Sequence, residues 1–163
     1  MREMIRIQGT QGIFHNRIVG VVLHQGHVLL HRNIHDDFWA LPGGRGEVME
    51  PSEITIQREF QEELGVTVSV ERLLWLVENF FSHENLPYHE LAMYYLLSIQ
   101  DNSLPRNMQE EFTGIEHDVQ LIFRWFPLEE LEHLPLYPSF LRTALQELPT
   151  TIQHIRHYDE PEE

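Results

Sequence analysis

The 163-residue chain contains no cysteine. That absence excludes disulfides, thiolate nucleophiles, cysteine-type zinc sites and iron–sulfur clusters. Lysine is missing as well, since all 11 basic residues are arginine. Schiff-base chemistry and the lysine of a Walker A phosphate loop are therefore unavailable. Long apolar runs are scarce. The longest, Leu91 to Leu97, is far below the ~20 residues that a spanning helix needs. The opening MREMIRIQGTQG lacks the apolar stretch of a signal peptide. The expectation is a cytoplasmic protein with no membrane partner. Positive charge is outweighed, 11 basic against 26 acidic residues, for a net −15 with histidine neutral. A surface of that sign repels a phosphate backbone and argues against a nucleic acid polymer as partner.

What is present is ordinary globular material, 42% hydrophobic and 23% charged. This amount of chain reads as a single domain over 1–163, with a core at about 17–147 and a tail at about 150–163 expected to fray. Arg17 to Leu23 and His27 to His31 are β-rich and flank Gln25-Gly26, a hairpin signal. Further strands are expected over Val66 to Phe81, over Glu90 to Ile99 as a central strand buried on both faces, and over Val119 to Phe126 before Pro127. One helix is expected from Ser52, as N-cap, to Leu64, with Gly65 closing it; a second runs from about Ser139 to Leu148. Strands on either side of a helix indicate a layered α/β domain, α+β in some schemes.

The helix carries the chemistry. At 100° per residue, Glu59, Glu62 and Glu63 share a 100° arc beside an apolar stripe of Ile56, Phe60 and Leu64. On periodicity alone, a solvated acidic face explains these glutamates at least as well. Yet like charges at this spacing repel, Arg58 offsets only part of the repulsion, and no lysine is available. Magnesium binds such oxygen ligands and bridges to substrate phosphates, and Gly43-Gly44 just upstream lets backbone approach the same ion. Read that way, the cluster is a magnesium platform.

The stretch around the helix resembles the Nudix box, Gx5Ex7REUxEExGU with U apolar. It runs Gly44, Glu50, Arg58-Glu59-Phe60, Glu62-Glu63, Gly65-Val66, with every fixed position filled. A chance match has odds of roughly one in a million. The approach Phe38 to Gly44 and the later Arg124 to Leu131 resemble the same family, so that roughly 17–147 is covered. Met49 stands where many members have glycine, and Thr55-Ile56 replace a usual pair of small residues.

The resemblance implies a Nudix-type α/β/α sandwich with a mixed β-sheet. It implies Mg2+- or Mn2+-dependent hydrolysis of a phosphoanhydride in a nucleoside diphosphate linked to another moiety, a small-molecule nucleotide substrate. Glu59, Glu62 and Glu63 would be metal ligands, one of them acting as base, and the Gly43 carbonyl would add a ligand. Glu50 would pair with Arg58, joining loop to helix. Glu116 is the candidate for a further catalytic carboxylate, with Glu110, Glu111 and Asp118 as rivals. Arg32 and Arg45 are candidates for phosphate contacts, and Tyr88, among Phe80, Phe81 and Tyr94, for stacking a base. Surface or core packing explains each of these last residues too. His31 and His35 lie in loop-like sequence and make no zinc pair.

Substrate markers are missing. Where some subgroups carry a proline (ADP-ribose enzymes) or a tyrosine (dinucleoside polyphosphate enzymes), this chain has Phe80, Phe81, Ser82 and His83. Isopentenyl diphosphate isomerase is similar in fold but uses a cysteine, so it is excluded. The competing reading is a non-catalytic Nudix-like domain that senses a ligand or binds a protein, although such domains typically lose box carboxylates. A homodimer is compatible with the sequence, as the commonest soluble assembly.

Overall fold

The structure, a computed structural model, describes residues 2–100, 104 and 109–159. Among these, nine strands form one mixed sheet: β1 (Arg6–Gln8), β2 (Ile13–His24), β3 (His27–Asn33), β4 (Gly43–Arg45), β5 (Val68–His83), β6 (Leu86–Ile99), β7 (Phe112–Thr113), β8 (Leu121–Pro127) and β9 (Gln153–Tyr158). Their order is β7-β8-β3-β2-β6-β5-β9, with β1 and β4 also on β2. The β2–β6 and β5–β9 pairs are parallel; the others are antiparallel. The hairpin expected at Gln25-Gly26 is present, with φ of 48° and 74°. Both residues are left-handed, as the primed turns that match strand twist require. A second tight turn at Glu84 and Asn85, φ 51° and 62°, joins β5 to β6. Because glutamate is a poor left-handed residue, sequence gave little sign of that turn.

Alternation along β2 divides the core in two. Ile18 and Val22 face α1 (Ser52–Leu64), meeting Ile56 and Phe60 together with Leu29, Tyr95 and Leu97. Val19 and Val21 face the other way, into a cluster with Leu30, Trp75, Val77 and Tyr94. That cluster is covered by Leu131 of the 3-10 turn Leu128–His133 and by Leu141 and Leu145 around α2 (Leu141–Ala144). The result is the α/β/α sandwich. β6 is central, as expected, between β2 and β5.

Several boundaries differ from expectation. The N-cap of α1 is Pro51, not Ser52, whose hydroxyl instead hydrogen-bonds the Tyr95 hydroxyl at 2.6 Å. A partner across the sheet outcompeted the local cap. Gly65 does close the helix, at φ 67°, its N–H donating to the Gln61 carbonyl at 2.9 Å. α2 is a single turn rather than 139–148, and Leu148 precedes Pro149, which biases it away from helix. The stretch expected to fray from 150 carries β9, paired with β5 from Trp75↔Gln153 to Phe80↔Tyr158. Its polar sequence QHIRHY suits an edge strand and hid it. Residues 160–163 of that stretch lie outside the described residues. Among the described residues no helix is long and apolar enough to cross a membrane.

Two substitutions test this packing. A Cβ at Gly20 would collide with Leu97 and lie 2.7 Å from the Phe60 ring. Gly20→Ala is expected to cost about 1–3 kcal/mol by overpacking, lowering Tm by roughly 3–10 °C in calorimetry. Met49, 96% exposed, adopts φ 67°. Met49→Gly is expected to raise Tm modestly, because glycine removes left-handed strain worth about 1 kcal/mol.

Candidate active site

The loop from β4 to α1 is bound to the helix by one guanidinium. Arg58 Nε and Nη2 donate to the two Glu50 carboxylate oxygens, each at 3.0 Å. Its Nη1 reaches Glu59 at 2.9 Å and Glu62 at 3.2 Å, and Nη2 lies 3.3 Å from Glu47. The fork geometry of arginine suits this two-pronged contact. Glu50 also accepts from the Thr55 hydroxyl at 2.6 Å, which gives the departure at Thr55 a use. Hydrogen bonding to Arg58 holds the Glu50 carboxyl below its ordinary pKa, and Glu50 in turn raises that of Arg58. Glu62 is further paired with Arg2.

Glu63 is the opposite case. It is 5% exposed, and its Oε2 is buried without a hydrogen-bond partner. Burial, then the charges of Glu59 and Glu116, push its pKa well above the ordinary value; Arg17 pulls the other way. Burial likewise raises Glu59, against Arg58. The Glu59 carboxylate lies against the Gly44 Cα, where a Cβ would collide with it. The Ile115 N–H donates to the Glu63 carbonyl at 2.8 Å, which anchors the loop bearing Glu116 at the end of α1. A buried carboxylate oxygen without a hydrogen-bond partner suits a hard divalent cation. Among the described residues, however, no three carboxylate or imidazole groups converge into a ready-made metal cage.

A cavity of about 520 Å³ opens on the sheet face opposite α1. Arg17 and Arg45, register partners on β2 and β4, line it. Beyond them lie His15, Asn79 and Glu90, then Phe81, His83 and Tyr88. Phe81 and Tyr88 stack at 5.1 Å with 6° between their planes. His31 also lines the cavity, and burial, aided by the Arg17 charge, lowers its pKa to about 3, so it stays neutral.

Of the residues singled out from sequence, Glu50, Arg58, Glu59 and Glu62 come together in one network, with Glu63 and Glu116 within electrostatic reach. Gly43 pairs with Val19 at the β2–β4 contact, at the start of a short strand. Arg45 and Tyr88 line the cavity. Arg32 does not: it donates to the Ile34 and Asp36 carbonyls, covers Trp39 at 5.3 Å and lies 3.6 Å from Glu111. Tyr94 is core, against Trp75 and Phe140. Sequence reasoning missed Arg17, His15, Asn79 and Glu90. The available signal was polarity inside apolar runs, such as Asn79 within LLWLVENFF, since a buried polar residue is the informative exception.

The NUDIX domain family model matches residues 14–148. A Bacillus subtilis (strain 168) protein, YjhB, provisionally named an ADP-ribose pyrophosphatase, is 32% identical over 142 residues. That alignment covers 86% of this chain and 61% of the relative, so the chain spans less than two thirds of the relative's length. Among solved structures, a MutT protein from Bacillus halodurans superposes with TM-score 0.65 at 18% identity, covering 90% of this chain and 91% of that one. An ADP-ribose pyrophosphatase from Streptococcus suis 89-1591 gives 0.56 at 14%, covering 87% and 98%. These two establish likeness of fold.

The electrostatics of Glu63 make a signed prediction. A carboxyl whose pKa is raised on folding destabilises the folded state above its unfolded pKa and not below it. Glu63→Gln is therefore expected to stabilise the protein in chelator at neutral pH, by about 1 kcal/mol or more, roughly 2–4 °C in Tm. The gain should vanish on acidification below roughly pH 4. A variant less stable than wild type at neutral pH would show that Glu63 is satisfied as it stands.

Proposed function

Because the chain belongs to the Nudix family, we propose that it is a pyrophosphohydrolase that cleaves a phosphoanhydride in a nucleoside diphosphate linked to another moiety. The observation that carries this reading is the buried Glu63 carboxyl group, with one oxygen unpartnered and within electrostatic reach of Glu59 and Glu116, on a helix that fills every position of the family's box. So costly an arrangement persists where function requires it.

Glu59, Glu62, Glu63 and the Gly43 carbonyl would hold Mg2+ or Mn2+, with Glu62 released from Arg2. Such an ion supplies charge neutralisation at the phosphates and acidifies water. The chain's own groups do the rest. Arg17 and Arg45 bind the phosphates from the cavity side. Glu116, or one of the helix glutamates, accepts the proton as water oxygen bonds to phosphorus and the bridging P–O bond breaks. Arg58 touches no substrate; it holds the loop and helix in register through Glu50. The absence of cysteine fits a cytoplasmic setting for this chemistry.

The test is hydrolysis of a panel comprising nucleotide sugars, ADP-ribose, dinucleoside polyphosphates and nucleoside triphosphates, with products resolved by chromatography. One class is expected to turn over with Mg2+ or Mn2+, to stop in excess chelator, and to fall by about 100-fold or more in Glu59→Gln. Turnover that survives chelation would overturn the metal assignment. No turnover of any class would favour the ligand-sensing reading.

A further inference from the structure

The cavity floor is ordered in rows set by strand register. Arg17 stands opposite Ala92, which pairs with Val77. The next row along is His15 opposite Glu90, which pairs with Asn79. The row after that is Ile13 opposite Tyr88, which pairs with Phe81. Rows two residues apart on a strand are about 7 Å apart. Starting from the arginines nearest the acidic helix, the floor therefore presents cations, then a carboxylate, then stacked aromatic rings. A 5′-nucleotide presents phosphate, sugar and base in that order at similar intervals.

The middle row is built, not incidental. His15 Nε2 and Glu90 Oε2 lie 2.6 Å apart, with the residues 7% and 5% exposed. The Tyr88 ring lies over His15 at 5.5 Å. His15 Nδ1 and Asn79 Oδ1, in the same row, are buried without partners. A buried carboxylate in a cavity for a polyanion is repulsive wherever phosphate sits. It is useful only against a ligand segment made of donors, and a carboxylate accepts several hydrogen bonds at once. Neighbouring hydroxyls are such a segment. Asp36, Asp37 and Asp159 also line the cavity, but Glu90 alone among these four is classed as buried and has its orientation fixed by a buried partner.

Resting on the nucleotide reading above, we propose that Glu90, oriented by His15, accepts hydrogen bonds from the 2′- and 3′-hydroxyls of the ribose. The site thereby selects ribonucleotides over 2′-deoxyribonucleotides. Glu90 contacts the ligand; His15 is a positioning residue.

Calorimetric titration of the full chain with Mg2+ tests this without turnover. The probes are ADP, GDP, CDP, UDP, their 2′-deoxy counterparts and inorganic pyrophosphate. The best ribonucleotide is expected to bind about 10- to 100-fold tighter than its deoxy form, the value of a hydrogen bond to a charged group. In Glu90→Gln that ratio should fall toward one, with pyrophosphate binding no weaker than in wild type. His15→Gln should lower the ratio too, and a merely structural role would not do so selectively. Equal affinity of wild type for ribo and deoxy forms would overturn the proposal, as would no nucleotide binding tighter than pyrophosphate. Both outcomes are read on wild type, whether or not a variant folds. A ratio that holds in a protein that hydrolyses nothing would sink the hydrolase reading and leave this one standing.

Discussion

Arg58 is the contact on which the rest depends. Four carboxylates, Glu47, Glu50, Glu59 and Glu62, are drawn to a single guanidinium. Without it, an acidic loop would face an acidic helix across a short gap, and repulsion would separate them. The pairing does not neutralise the cluster. It is saturated by the loop and by the flank of the helix, and Glu63 is left outside it. The most heavily shared cation of the cluster thus serves geometry, and Glu63 has no ion pair of its own. A positioning arginine and a destabilised glutamate are two halves of one arrangement.

Most of this was legible in sequence because the box is local. Its glutamates, glycines and arginine lie within a continuous stretch, and helical spacing alone brings Glu59, Glu62 and Glu63 together. Local turn chemistry was readable at Gln25-Gly26 and Gly65 for the same reason. What failed depended on distant partners. Ser52 is a good cap by composition, yet it bonds Tyr95 across the interior. β9 offers a single inward apolar residue, Ile155, among polar neighbours, and its partner strand β5 lies nearly half the chain away in sequence. Arg32 is the exception: its partners, the Ile34 and Asp36 carbonyls and Trp39, are near in sequence, but the loop path that brings them to the guanidinium is not written in residue types.

The cavity was the least legible feature. His15, Glu90 and Asn79 come from three strands and meet only through the β2–β6 and β5–β6 registers. Each has a polar neighbour in sequence, Asn16, His89 and Glu78 respectively, so it is a weak signal taken singly. Register turns three weak signals into one row. The pleat adds a further economy. β2 carries alternate residues to α1 on one face and to the cavity on the other, so one strand fixes the position of the carboxylate helix relative to the pocket.

The region shared with the family, 14–148, stops short of structure at both ends. β1 and the Arg2 contact with Glu62 precede it, and β9 follows it, with Asp159 on the cavity wall. Both additions sit where a sheet can accept another strand without disturbing existing registers. A chain trimmed to the shared region would keep the carboxylate helix and lose Asp159 from the cavity wall. Termini laid along open sheet edges can thus reshape the wall of a pocket in such a fold while the carboxylate helix keeps its place.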